Sequence, residues 1–123
     1  MFENSIARYL EKHGHSNIQL KAVLFDMDGV LFNSMLYHAD AWHKVMKRHG
    51  LHLSREEAYM HEGRTGASTI NIVYQRQYGK DATPEMIESI YAEKSAEFST
   101  HPEPERMPGA WAVSYTHLTL PTN

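Results

Sequence analysis

Two carboxylates two residues apart, Asp26 and Asp28, are the groups in this sequence best placed to do chemistry. They follow the apolar run Ala22 to Phe25 and precede Gly29, inside the stretch Lys21 to Ser34. Residues two apart on extended backbone point the same way, so both carboxylates can face one small volume. Two like charges among apolar neighbours are costly unless a cation or a proton compensates. Phosphoryl transfer through a covalent intermediate uses such a pair: one aspartate attacks phosphorus and the other moves protons for the leaving group and the incoming nucleophile. The same chemistry implies a hard cation. Mg2+ fits, because it takes few protein carboxylates and binds phosphate oxygens.

Other uses of an Asp-x-Asp-Gly string are weighed against its neighbours. A calcium loop of the EF-hand kind wants glycine at its sixth place and an acid at its twelfth. Counted from Asp26, those places hold Leu31 and Tyr37, and that reading fails. A plain turn, with aspartates only solvating a strand end, is the remaining structural alternative.

The elements that must position the pair can be read on either side of it. Ala22 to Phe25 is short, apolar and without helical period, as expected of a parallel strand buried on both faces. Its carboxyl end is where open α/β sheets bind ligands. Before it, residues 1–19 predict an amphipathic helix with Ile6 and Leu10 on one side, stopping at Gly14. After Ser34 the period turns helical through Leu36, Ala39, Trp42, Val45 and Met46, with a stop at His49-Gly50. A second helix opens at Ser54, where Ser54-Arg55-Glu56-Glu57 reads as a capping box. The polar loop His61 to Gly66 interrupts before Ile70, Val73 and Tyr74 resume, and Tyr78-Gly79 closes the third helix. Thr83 and Pro84 start a fourth, through Ile87, Ile90, Tyr91 and Phe98. Four helices with no strand between them predict a helical module inserted after the first strand.

Composition narrows the class. The 123 residues fit one domain at most. With 41% hydrophobic residues, 22% charged and a formal charge of −3, nothing suggests disorder, a nucleic-acid partner or a membrane coat. Cysteine is absent, which leaves neither disulfides nor thiolate metal sites and makes a cytoplasmic location the economical expectation. His13, His15, His43, His49, His52, His61 and His101 show no metal-ligand spacing with an acidic partner, and each reads as a surface residue. Trp42 and Trp111 read as core or hinge packing.

Phe25-Asp26-Met27-Asp28-Gly29-Val30-Leu31-Phe32-Asn33-Ser34 resembles the first signature of the haloacid dehalogenase superfamily. One core strand followed by a helical cap is similar to its β-phosphoglucomutase-like subgroup. The resemblance implies an α/β fold: the start of a Rossmann-like core, with an inserted α-helical cap and the rest of the core sheet missing. It implies Asp26 as nucleophile and Asp28 as general acid/base, both at the Mg2+, with the Asp28 carbonyl helping to hold the ion. Asp28 argues against a dehalogenase, which does not need that acid, and against the P-type pumps, which carry lysine there.

Ser34 matches the hinge where cap meets core. His38 matches a histidine that faces the active site in the mutases; the alternative is an exposed helical histidine. Glu62-Gly63-Arg64-Thr65-Gly66 falls at the cap's substrate-specificity loop. There Arg64 could pair with a second anion and Glu62 with the metal or substrate hydroxyls, or both could be solvated loop charges.

The superfamily's second, third and fourth signatures are absent, and all would follow Trp111. Val113 to Thr122 has no charged residue and resembles one reading-frame translation of a synthetic adapter used in transposase-based sequencing libraries; the alternative is a natural strand-like tail. The expected divisions are a helical extension (1–19), first core strand and catalytic loop (20–33), helical cap (34–106), return to the core (107–112) and an adapter-derived tail (113–123). In this tail the helix begun at Met107 to Trp111 stops.

The function expected is a Mg2+-dependent phosphatase of small phosphorylated metabolites, sugar phosphates or pyrophosphate, acting as a monomer through an aspartyl phosphate. A β-phosphoglucomutase-type phosphomutase and a non-catalytic phosphate-binding protein are the rivals. The chain alone is expected to be a C-terminally truncated fragment, inactive and partly folded, with Ala22 to Phe25 exposed for want of a sheet.

Overall fold

The computed structural model describes residues 2–17, 22 and 24–118. The elements are α1 (Phe2–His13), α2 (Met35–Arg48), α3 (Arg55–Met60), α4 (Gly66–Tyr78), α5 (Pro84–Phe98) and α6 (Ala110–Leu118). The described architecture is a helical bundle of the kind expected for the cap, with the core sheet largely absent. No helix among the described residues is long and apolar enough to cross a membrane.

Local signals set the helix ends. Ser54 accepts from the Glu57 amide at 3.0 Å, Thr65 from Ser68 at 3.2 Å and Thr83 from Met86 at 3.3 Å, each satisfying an otherwise orphaned first-turn donor. Only half of the expected capping box forms, since the Glu57 carboxylate is taken by Arg76. Gly79 closes α4 in the left-handed conformation, its amide donating to the Gln75 carbonyl.

Helix α2 packs against α3 and α5, and α4 against α5. Their shared core holds Trp42, Val45, Met46, Leu51, Leu53, Ile70, Val73 and Ile90. Burial of this apolar set is the main stabilising term of the bundle. Charged pairs lace the outside: Asp40 meets Arg55 at 2.6 Å, Lys44 at 2.8 Å and His101 at 2.9 Å, while Glu97 meets Arg48 at 2.8 Å.

The segments entering and leaving the bundle pair with each other. The Asn33 amide donates to the Glu105 carbonyl at 2.7 Å, and the Met107 amide to the Leu31 carbonyl at 2.9 Å, around an antiparallel bridge between Phe32 and Arg106.

Several expectations are corrected. Ala22, Leu24 and Phe25 are not in a strand, while Val23 of the expected strand lies outside the described residues. Leu24 is 97% exposed, in line with the exposure expected of this segment for want of a sheet. Met1 and residues 18–19 of the expected first helix also lie outside the described residues, and the helix observed ends at His13. The helix at Ala110 runs on to Leu118 instead of stopping before Val113; residues 119–123 lie outside the described residues. Leu36 faces solvent at 64% exposure, and its neighbour Met35 takes the buried place. Trp111 is exposed, with the Arg106 guanidinium over its ring at 5.2 Å. His49 and His101 are not idle surface residues, because carboxylates remote in sequence, Glu93 and Asp40, reach them.

Candidate active site

The loop after Phe25 is bent into a single tight turn. The Met27 carbonyl accepts from the amides of both Leu31 and Phe32, and the Gly29 amide returns to the Phe32 carbonyl at 2.8 Å. Gly29 has φ +74°, and a Cβ there would lie 3.0 Å from Met35 Cγ and 3.4 Å from Glu62 Oε1. The dihedral favours glycine, and a Cβ there would press on the Met35 side chain. The turn brings Asp26 and Asp28 to one cavity of about 280 Å3, lined also by His38, Trp42, His61, Glu62, Gly63, Arg64, Thr69, Tyr91 and Lys94.

Asp26 is exposed, and its Oδ1 accepts from the Met27 amide at 2.8 Å. Asp28 is held more firmly. Its Oδ1 accepts from Ser34 Oγ at 2.6 Å and stands 3.3 Å from His38 Nε2. Ser34 is fully buried and sits at the N-cap of α2, but its hydroxyl caps nothing in the helix. The usual capping bond is given up for the carboxylate.

Behind His38 stands Lys94, which is 7% exposed. Its Nζ lies 2.7 Å from His38 Nδ1, 5.5 Å from the Trp42 ring centroid and 5.2 Å from that of Phe98. Phe98 stacks on the His38 ring at 4.0 Å. An ammonium can only donate, so Nδ1 accepts and the ring proton is on Nε2, directed at Asp28. Asp28, His38 and Lys94 thus form one line from the loop after Phe25 through α2 to α5.

The electrostatics follow from that line. The Ser34 hydroxyl, opposed by burial and aided by His38 and Lys94, holds the Asp28 carboxyl below its ordinary value. Burial and then the Lys94 charge push His38 down, against the pull of Asp28. Burial pushes Lys94 down, with Asp28 opposing. The geometry, with Lys94 Nζ at His38 Nδ1 and Nε2 facing Asp28, fits a carboxylate, a neutral imidazole and an ammonium in line.

The structure brings Asp26, Asp28, His38, Glu62, Gly63 and Arg64 to one cavity. Ser34 stands behind Asp28 and is not part of the wall. Thr65 is engaged in capping α4. Lys94, His61, Trp42, Thr69 and Tyr91 had not been singled out for the site. Lys94 lies between Tyr91 and Phe98 on an apolar face, which is the one sign in the sequence that it is buried. As donors for a hard cation, Asp26, Asp28 and Glu62 are of the right oxygen chemistry, although no three acidic or histidine side chains converge as a closed metal site among the described residues. An incomplete donor set of this kind suits Mg2+, which keeps waters.

A solved structure described as a "putative beta-phosphoglucomutase from Bacteroides vulgatus" is similar to this chain over 96% of its residues, at 61% identity and a TM-score of 0.85. The chain belongs to the haloacid dehalogenase superfamily, in its β-phosphoglucomutase-like subgroup. It spans 49% of the length of that relative. No family model matches the chain, and no curated protein matches it. Within the superfamily, the helical bundle corresponds to the cap and the turn at Asp26 to the first signature. The cavity lies where the helical bundle meets that turn.

Proposed function

We propose that the protein is a Mg2+-dependent phosphohydrolase of small phosphorylated metabolites, such as sugar phosphates or pyrophosphate, working in the cytoplasm through an aspartyl phosphate. The carrying observation is that Asp26 and Asp28 share one cavity with the cations of the bundle, Arg64 and Lys94.

Asp26 is the nucleophile. Its carboxylate oxygen bonds to phosphorus, the bond from phosphorus to the leaving oxygen breaks, and Asp28 delivers a proton to that oxygen. Asp28 then takes a proton from the water that opens the acyl phosphate. Ser34 and His38 favour its carboxylate form, so Asp28 takes a proton from solvent before it serves as the acid of the first step, and the carboxylate left behind serves as the base of the second. Arg64 offers a bidentate donor to a second phosphate or other anion of the substrate. Mg2+, held by Asp26 and the Asp28 carbonyl with Glu62 within reach, would neutralise phosphate charge and let an anionic nucleophile approach an anionic substrate. The helical bundle restricts water at the acyl phosphate.

The test is phosphate release by the whole protein from glucose 6-phosphate, β-glucose 1-phosphate and pyrophosphate, with Mg2+ and with chelator. Asp26→Asn should abolish release. Turnover that survives this change would refute the mechanism. Conversion of β-glucose 1-phosphate to glucose 6-phosphate without free phosphate would assign a mutase instead. A non-catalytic phosphate-binding role requires loss of nucleophile or acid, and both are present.

A further inference from the structure

His61 sits at the end of α3 and lines the cavity beside Glu62. Its side chain is only 12% exposed, and neither ring nitrogen makes a hydrogen bond. Nε2 stands 3.8 Å from Glu57 Oε1, an ion-pair separation too long for a hydrogen bond, and that carboxylate is already held by Arg76. Nδ1 is shut off from solvent and has no partner at all. Burying such a nitrogen unpaired costs about 1–3 kcal/mol. Folded proteins rarely leave a buried polar atom unpaired without a reason. The backbone around it is fully engaged, the His61 amide donating to Glu57 and its carbonyl accepting from Arg64, so the ring is placed deliberately at the root of the loop.

We propose that His61 is a ligand-binding residue of this cavity, its ring turning when substrate is bound so that a nitrogen pairs with a substrate oxygen. The proposal rests on the phosphohydrolase reading and adds to it a polar contact from the end of α3, in the same cavity as Asp26. The oxygen can be a phosphate oxygen, to which a ring N–H donates, or a sugar hydroxyl, which donates to the ring lone pair. A group kept for a ligand carries its cost in the free protein and recovers it in the complex. That gives a signature which a purely structural histidine does not have.

The experiment compares the whole protein with His61→Leu and His61→Gln, each in an Asp26→Asn background that binds without turnover. Binding of pyrophosphate and of glucose 6-phosphate is measured by titration calorimetry, and thermal midpoints are measured without ligand. Leu should leave the midpoint equal or higher, because it removes an unpaired buried nitrogen, and should weaken binding about five- to tenfold. Gln should restore part of the affinity. Weakening with both compounds assigns a phosphate contact, and weakening with the sugar phosphate alone assigns a hydroxyl contact. Equal affinities for the histidine and leucine proteins overturn the proposal while leaving the phosphohydrolase reading intact. Failure of the parent Asp26→Asn protein to bind either compound overturns both. Should the leucine protein not fold, the His61 ring 15N resonances of the parent decide: a saturable shift with ligand supports the contact and its absence refutes it.

Discussion

Lys94 and His38 meet at 2.7 Å inside the bundle, and the contact decides which ring nitrogen faces Asp28. With Nδ1 occupied by the ammonium, the proton must sit on Nε2. Lys94→Met removes both the donor and the charge. The His38 titration should then move upward, because the Lys94 charge is one of the causes that push it down. A histidine pushed below its ordinary value binds its proton less readily folded than unfolded, so it costs stability as pH falls below about 6.5. In the Met variant that acid-side loss should be shallower. Proton NMR of the His38 ring, with denaturation at a series of pH values, checks both parts. An unchanged titration would mean that the contact does not form.

Ser34→Ala tests the tightest contact in the site. The Ser34 hydroxyl is the largest cause holding the Asp28 carboxyl down, so its loss should let that group titrate at higher pH. Asp28 is 38% exposed, and solvent screening limits the stability lost at neutral pH to about 1 kcal/mol. The sign is fixed by linkage: a depressed carboxylate contributes stability above its unfolded value, lost as pH falls through the folded one. Wild type and variant should therefore converge in stability below the ordinary aspartate range. Urea midpoints at neutral and acid pH would show convergence or its absence.

Helices α2, α4 and α5 were legible because their signals are local. Thr83 with Pro84, Ser54 and Gly79 mark ends by the chemistry of the first and last turns, and the apolar period marks the buried face. Leu36 failed that reading because it lies in the first turn of α2, where the face toward the core is taken by Met35. Asp26 and Asp28 stood out because an apolar run ends in them. Lys94 did not, since a lysine between Glu93 and Ser95 reads as solvated, and Tyr91 and Phe98 one turn to either side are a weak sign beside the packing of α5 on α2 that buries it. The links of His101 to Asp40 and of His49 to Glu93 were invisible for the same reason, each joining residues far apart in the chain. Strand 22–25 is apolar in sequence, but pairing comes from other strands, and nothing local can supply it.

Asp40 ties three elements together through Arg55 on α3, Lys44 on α2 and His101 beyond α5. Its carboxyl is held well below the usual carboxylate range, first by Lys44 and Arg55. Asp40→Ala strands these cations and should cost about 1–2 kcal/mol, between the values for exposed and buried pairs. Since the group is depressed, the stability it contributes is present above the ordinary aspartate value and persists until strongly acid pH. The variant should also be less sensitive to added salt, because the pairs that salt screens are gone. Denaturation at low and high ionic strength checks this, and equal salt slopes for the two proteins would contradict it.

Gly66 and Tyr91 are in contact across the α4–α5 interface, at the edge of the cavity. A Cβ on Gly66 would run into Tyr91 Cδ2, well inside any real contact, so Gly66→Ala must displace the ring. Tyr91 is 49% exposed, which leaves it room to swing outward. The loss should therefore stay at about 1–2 kcal/mol, in the range for overpacking that side chains can partly absorb. If the clash with the ring is the cause, cutting the ring away should relieve it. Alanine at Gly66 should then cost much less in a Tyr91→Ala background, and the difference between the two costs is the coupling energy of the pair. Additive effects in this double-mutant cycle would place the cost of Gly66→Ala in the backbone at the start of α4, and the packing account of the glycine would be wrong.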